Sequence, residues 1–134
     1  MSDPTPQPAI DRLLDQERRL LARLQPAEAL AAAAAGGLII DTRSHEQRLA
    51  GGVVPEAVRI HRNVLEWRVD PSSAHRDPRV AACDGPLIVM CQQGYSSSLA
   101  AATLQRLGVS QATDMVGGFE AWVAAGLSTE PLTS

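Results

Sequence analysis

Leu87, Ile88, Val89 and Met90 form an unbroken run of apolar residues, opened by the turn residues Asp84, Gly85 and Pro86. A run this short, with no polar alternation, predicts a strand buried on both faces. Cys91 stands where that strand must end. Gly94 follows three residues later, and Ser96, Ser97 and Ser98 precede the Ala- and Leu-rich stretch at 99–104. A serine there is a good helix N-cap, and the stretch behind it is a good helix. A thiol therefore lies between the C-terminal end of a strand and the N-terminal end of a helix. Free backbone N–H groups and the helix dipole at such a place lower a thiol's pKa and form a socket for a small anion. A buried cysteine otherwise commonly fills space; the Gly94 spacing and the serines set this one apart.

Composition narrows the setting. The 134 residues suffice for one domain with a real core. Hydrophobic residues make up 45% and aromatics only 3%, so that core must be mostly aliphatic. The net charge of -3 comes without any basic block, which argues against nucleic acid as a partner. No apolar span reaches the roughly 18 residues of a membrane helix, and the polar start carries no signal peptide; a cytoplasmic protein is expected. Cys83 and Cys91 flank one strand, and extended chain at about 3.3 Å per residue carries them beyond disulfide reach. His45, His61 and His75 lack metal-ligand spacing, so neither a metal nor a cofactor is expected.

Residues 1–9 contain Pro4, Pro6 and Pro8 and read as a flexible tail. Over 10–23, Ile10, Leu13, Leu14, Leu20 and Leu21 recur at helical spacing, with Asp15 and Arg19 as an exposed i,i+4 pair. This amphipathic helix packs its stripe on the domain or on a second copy, so monomer and homodimer both remain open. Arg23, Leu24 and Gln25 predict a short strand before Pro26, which suits the first turn of an Ala-rich helix at 27–35. Leu38, Ile39 and Ile40 predict a second buried strand, running into Asp41, Thr42 and Arg43. Ser44 caps a helix to Leu49. A half-buried strand at 57–60, a helical turn at 63–67 and a loop at 70–79 follow. The strand to Cys91 and its helix come next, then a strand at 112–116 and a helix at 119–125. Residues 128–134 form a C-terminal tail. Strands alternating with helices predict an α/β fold, a three-layer α/β/α arrangement around a parallel sheet. In such sheets the site lies at the carboxyl ends of the strands, which gathers Asp41, Arg43, His61, Arg62 and Cys91 at one edge.

Four segments, in order, resemble the rhodanese-like (sulfurtransferase) family over about 24–127. Leu38-Ile-Ile-Asp-Thr-Arg43 resembles its strand ending in Asp-x-Arg. Gly52-Val-Val-Pro-Glu-Ala57 resembles its Gly-His-Ile-Pro-Gly-Ala segment. Ile88 to Ser97 resembles its strand and catalytic loop, and Gly117-Gly-Phe-Glu-Ala-Trp122 its Gly-Gly-x-x-Ala-Trp close. The resemblance implies a five-stranded parallel sheet in the order 3-2-4-5-1. It also implies that Cys91 takes a sulfane sulfur from a donor, holds it as a persulfide and passes it to a thiol or cyanide-type acceptor. Asp41 and Arg43 are, by resemblance, supports of the loop rather than chemical actors.

That chemistry needs a thiolate at neutral pH, and the loop offers no histidine or lysine as base. Loop amides and the helix terminus must then hold the ion, which makes Gln92, Gln93, Gly94, Tyr95, Ser96 and Ser97 the substrate-binding residues. Many active members of the family carry an arginine where this chain has Ser96. Val53 and Glu56 likewise replace the usual histidine and glycine of the second segment. Without that arginine a dianion such as thiosulfate loses a charge-assisted partner, so a persulfide is the better expected donor. Arg62 or Arg68 is expected to bring positive charge near the site. Trp67 is expected either to anchor the core or to wall the pocket. The same fold resembles that of dual-specificity phosphatases, but their phosphate-binding arginine is here Ser97, which leaves a phosphoryl group without its clamp. The remaining alternative is a non-catalytic binding or regulatory module.

Overall fold

The computed structural model describes residues 5–133; residues 1–4 of the N-terminal tail and Ser134 of the C-terminal one lie outside the described residues. The chain runs α1 (Ala9–Arg18), α2 (Pro26–Ala34), β1 (Leu38–Asp41), α3 (His45–Gly51), β2 (Val58–Arg59), a 3-10 turn (Arg62–Val64), α4 (Leu65–Val69) and α5 (Pro78–Ala81). It continues through β3 (Leu87–Met90), α6 (Ser96–Arg106), β4 (Ala112–Asp114) and α7 (Gly118–Ala124). All strands are parallel, in the order β2-β1-β3-β4. The register sets Asp41 opposite Met90 and Val89 opposite Asp114, so β1, β3 and β4 end at one edge.

Side chains alternate across a strand, and here both faces are buried. Ile40, Leu87 and Val89 join Leu65, Val69, Ala101 and Leu104 on one side; Ile39, Ile88 and Met90 join Ala29, Met115, Phe119 and Trp122 on the other. The first core lies beneath α4 and α6 and the second beneath α2 and α7, which gives the three layers.

The sheet has four strands, not five. The expected first strand is reduced to one bridge, in which Leu24 pairs with Met115 beside β4. Leu24 takes both bonds available to it, N–H to the Asp114 carbonyl at 3.0 Å and carbonyl to the Val116 N–H at 2.8 Å. The ladder then stops because the Gln25 N–H turns to the Glu28 carboxylate at 2.8 Å as the α2 cap, and Pro26 has no N–H to give.

Helix α1 ends at Arg18, short of the expected residue 23, and only part of its stripe is covered. Leu14 and Glu17 are buried, whereas Ile10, Leu13 and Leu20 are exposed. Its covered side faces α6, where Arg106 pairs with Glu17. At the other end of the chain, Glu130 forms an antiparallel bridge with Val53. Among the described residues no helix is long and apolar enough to cross a membrane.

Candidate active site

Cys91 follows the last residue of β3, and α6 begins five residues later at Ser96. The residue is only 7% exposed, yet it helps line an open cavity of about 230 Å3. The segment after β1 contributes Thr42, Arg43 and Gln47 to the walls; the loop contributes Gln92, Gln93, Tyr95 and Ser96. The Gly94 N–H donates to the Cys91 sulfur at 3.1 Å, and the Ser97 hydroxyl lies 3.2 Å from it. Burial alone pushes the thiol up. The Ser97 and Ser96 hydroxyls and the Ser97 and Gly94 amides outweigh it, so the thiol sits below its ordinary range.

The serines are therefore not caps. The residue before α6 is Tyr95, and no side chain caps that helix end. Ser97 and Ser98 are buried and turn inward, Ser97 to the thiol and Ser98 to the Asp114 carboxylate at 2.6 Å.

The loop's carbonyls are held from behind. Thr42 donates to the Met90 carbonyl through its N–H at 2.9 Å and its hydroxyl at 3.1 Å. The first free N–H groups of α7 take the next two: Phe119 reaches the Cys91 carbonyl at 2.8 Å and Glu120 the Gln92 carbonyl at 3.0 Å. A trans peptide points its N–H opposite its C=O, so these bonds turn the Gln92 and Gln93 amides away from α7. Two glycines permit the fit. Gly94 has φ +86°, and a Cβ there would stand 2.6 Å from the Gly117 nitrogen; a Cβ on Gly118 would overlap the Cys91 carbonyl oxygen.

Asp41 and Arg43 form a fully buried pair rather than a surface one. The Asp41 carboxylate accepts the Arg43 N–H at 2.9 Å and its guanidinium at 3.0 and 3.1 Å, and Arg48 adds a contact at 3.3 Å. Arg43 also reaches the Gly52 carbonyl at 2.8 Å and the Gln92 side-chain oxygen at 3.3 Å, and stacks 3.7 Å from the centre of the Phe119 ring. Gln92 donates in turn to Glu120 at 3.2 Å. One cavity wall is thus fixed by the strand-end pair on one side and α7 on the other.

Other candidates lie elsewhere. Arg62 pairs with Glu66 at 2.9 Å, and Arg68 with Asp77 at 3.2 Å; neither lines the cavity at Cys91. Trp67 is 58% exposed and neither anchors the core nor walls this cavity; it lines a separate shallow hollow with Asp70, Thr103 and Leu107. The physical reason is short-range pairing: α4 places Glu66 one turn from Arg62 and buries Leu65 and Val69, which turns Trp67 outward. His61 is exposed and accepts the Asn63 N–H. Cys83 is a free thiol beside the carbonyl oxygens of Gly36 and Gly85.

A family model of the rhodanese-like domain matches residues 25–125. The chain belongs to the rhodanese-like domain family. It is similar to the thiosulfate sulfurtransferase GlpE of Pseudomonas entomophila, with 33% identity over 100 residues that cover 75% of this chain and 83% of that protein. Among solved structures, a protein of unknown function from Rhodopseudomonas palustris, described as a possible tyrosine phosphatase, superposes with a TM-score of 0.82. It shares 29% identity over 97% of this chain and all of its own. A human single-domain sulfurtransferase superposes with a TM-score of 0.60 at 25% identity, covering 78% of this chain and 95% of that one.

Several residues of this rhodanese-like domain carry no mark in the reading of its sequence. Arg48, Gln47 and Thr42 are ordinary helix and loop residues until the fold brings them to Asp41 and the cavity. Asp114 did offer a signal, since a carboxylate midway along the expected strand at 112–116 must find a partner if it is buried. Arg18 offered none: it reads as a solvated helix residue, yet its guanidinium reaches the Gly94 carbonyl at 2.9 Å.

Proposed function

We propose that this rhodanese-like domain is a sulfurtransferase that carries a sulfane sulfur on Cys91 as a persulfide. The observation that carries the reading is the environment of one atom. The Cys91 sulfur has an amide and a hydroxyl within hydrogen-bond reach where a space-filling cysteine has apolar neighbours, and the residue, though buried, helps line an open cavity. In the first step the thiolate attacks the outer sulfur of a donor. A sulfur–sulfur bond to Cys91 forms, and the donor's own bond to that sulfur breaks, its electron pair leaving with the donor fragment. In the second step a thiolate or cyanide attacks the terminal sulfur, and the Cys91 thiolate leaves. Charge and electron count balance without an external oxidant. Between the steps, the Gln92, Gln93 and Gly94 amides and the Ser96 and Ser97 hydroxyls hold the terminal sulfur anion, while Asp41 and Arg43 keep the wall at Gln92 in place.

The donor we favour is a low-molecular-weight or protein persulfide. Thr42, Gln47, Gln92, Gln93, Tyr95 and Ser96 are neutral, and the one lining guanidinium, Arg43, is committed to Asp41. A dianion gains less from such walls than from a free arginine. Thiosulfate, for which the GlpE relatives are named, is the donor to compare. Phosphoryl transfer is not favoured: six positions after the cysteine stands Ser97, whose hydroxyl already contacts the thiol. The reaction as written needs one chain only. Two free cysteines suit the reducing cytoplasm, which we take as its compartment.

The test is thiocyanate formation from cyanide with either donor. Cys91→Ser is expected to abolish it with the fold unchanged by circular dichroism. Transfer retained in a folded Cys91→Ser protein refutes the assignment.

A further inference from the structure

Helix α1 lies outside the residues matched by the family model, yet its last residue touches the catalytic loop. We infer that Arg18 is a positioning residue that fixes the Gly94–Tyr95 peptide and so restricts Gly94, whose own N–H, in the Gln93–Gly94 peptide, faces the Cys91 sulfur. The relevance to catalysis rests on the sulfurtransferase reading; the geometry does not.

The loop's carbonyls are shared out unequally. Those of Met90, Cys91 and Gln92 bond to Thr42, Phe119 and Glu120, all within the family match. The Gly94 carbonyl is instead taken by the Arg18 guanidinium at 2.9 Å. The Ser98 hydroxyl also lies 3.4 Å from that carbonyl, but a hydroxyl has one proton. That proton goes to the Asp114 carboxylate, at 2.6 Å. The Ser98 oxygen accepts in turn from the Arg18 Nε at 3.1 Å. One guanidinium therefore bridges the loop and the first turn of α6. Its anchor is stiff: Asp114 is fully buried and receives Arg23 through two nitrogens at 3.0 to 3.2 Å.

Gly94 is where such a grip matters. Its φ of +86° is a conformation that L side chains rarely adopt and that glycine, with the widest backbone freedom, takes readily. Its N–H donates to the sulfur and its carbonyl is the atom Arg18 holds. Fixing that carbonyl also turns the Tyr95 N–H the opposite way. The same guanidinium lies 5.8 Å from the centre of the Tyr95 ring, within cation–π range, and so steadies a cavity wall as well. The helix that delivers Arg18 is seated on α6 by Leu14 and by the Glu17–Arg106 pair.

The experiment measures the rate of Cys91 alkylation by iodoacetamide against pH, with Cys83→Ala in every protein so that one thiol reports. In Arg18→Gln the midpoint moves to higher pH and the rate at pH 7 falls about 3- to 10-fold, as a rise of about half to one pKa unit gives; the rates converge at alkaline pH. Arg18→Lys keeps the charge but cannot span the Gly94 carbonyl and Ser98 together, and its profile falls between the two. Arg106→Gln, which removes the Glu17 tie between the same helix and α6, leaves the profile unchanged. A profile of Arg18→Gln that superposes on the parent overturns the inference, as does an equal shift in Arg106→Gln, which would assign the effect to seating of the helix. Alkylation consumes no sulfur donor. A shifted profile therefore supports the role of Arg18 even in a protein that transfers no sulfur, and a superposed one overturns it even in a protein that does.

Discussion

Replacing Ser97 by alanine removes the side chain placed against the reactive atom. The Ser97 oxygen lies 3.2 Å from the Cys91 sulfur and is fully buried, so water cannot take its place without opening the loop. A hydrogen bond to a charged group contributes about 1.5–3 kcal/mol net. At about 1.36 kcal/mol per unit, that corresponds to a rise of roughly one to two units in the thiol pKa. The sign follows from which form is stabilised: the hydroxyl donates to the thiolate, so its loss favours the protonated thiol. Each unit costs about tenfold in thiolate wherever the assay pH lies below the thiol pKa, and the two proteins become equal at alkaline pH. The depressed thiol pKa also links to stability. The stabilisation from the ionised sulfur is complete above the ordinary thiol pKa and is lost as pH falls through the folded value. Ser97→Ala narrows that window. The helix itself should survive, since alanine is the better helix former. Titrating the ultraviolet absorbance of the thiolate, in a Cys83→Ala background, reads the midpoint directly. A midpoint that stays put or moves down would refute the reasoning and leave the Ser96 hydroxyl and the main-chain amides as the stabilisers.

Two further substitutions separate donor choice from fold. Ser96→Arg puts a guanidinium at the cavity wall and should raise kcat/KM for thiosulfate relative to a persulfide; no gain in steady-state assays with the two donors would mean that shape selects the donor. Asp77 is held well below the usual carboxylate range, chiefly by the Arg79 guanidinium and against the opposing effect of burial, with the Arg79 N–H and Arg68 adding to it. Its stabilisation is present above the ordinary carboxylate pKa and lost as pH falls below it. Asp77→Ala should therefore cost about 1–2 kcal/mol at neutral pH, the lost cap of α5 included and the exposed arginines discounted, and less in acid. Urea unfolding at neutral and acid pH checks this, and equal stability of parent and variant at neutral pH contradicts it.

The parts of the fold legible in the sequence are those set by local pattern. The apolar runs of β1 and β3, the Ser44 cap and the paired glycines that open α7 each act within a few residues. The Ser44 hydroxyl does accept the Gln47 N–H at 3.1 Å. The absence of a fifth strand is not legible, because apolar Leu24 looks like a strand residue while the next N–H belongs to a helix cap. The serines after Gly94 differ from their pattern for a related reason: a hydroxyl before a helix has a good local use as a cap, but here two of them have buried partners, Cys91 and Asp114, brought in by the fold. Trp67 looks like core by size alone, and what places it outside is the face of α4 that Leu65 and Val69 occupy. Arg18 meets Gly94 across 76 positions of sequence, and no periodicity or motif records such a contact.

The most direct measurement is the mass of the protein, mapped by peptide, after exposure to a persulfide donor and removal of excess reagent. The expected result is one added sulfur atom on Cys91, discharged by cyanide, and none on Cys83, whose sulfur lies against two carbonyl oxygens. Sulfur found on Cys83 instead, or on neither residue, would contradict a transfer reaction carried by the buried thiolate.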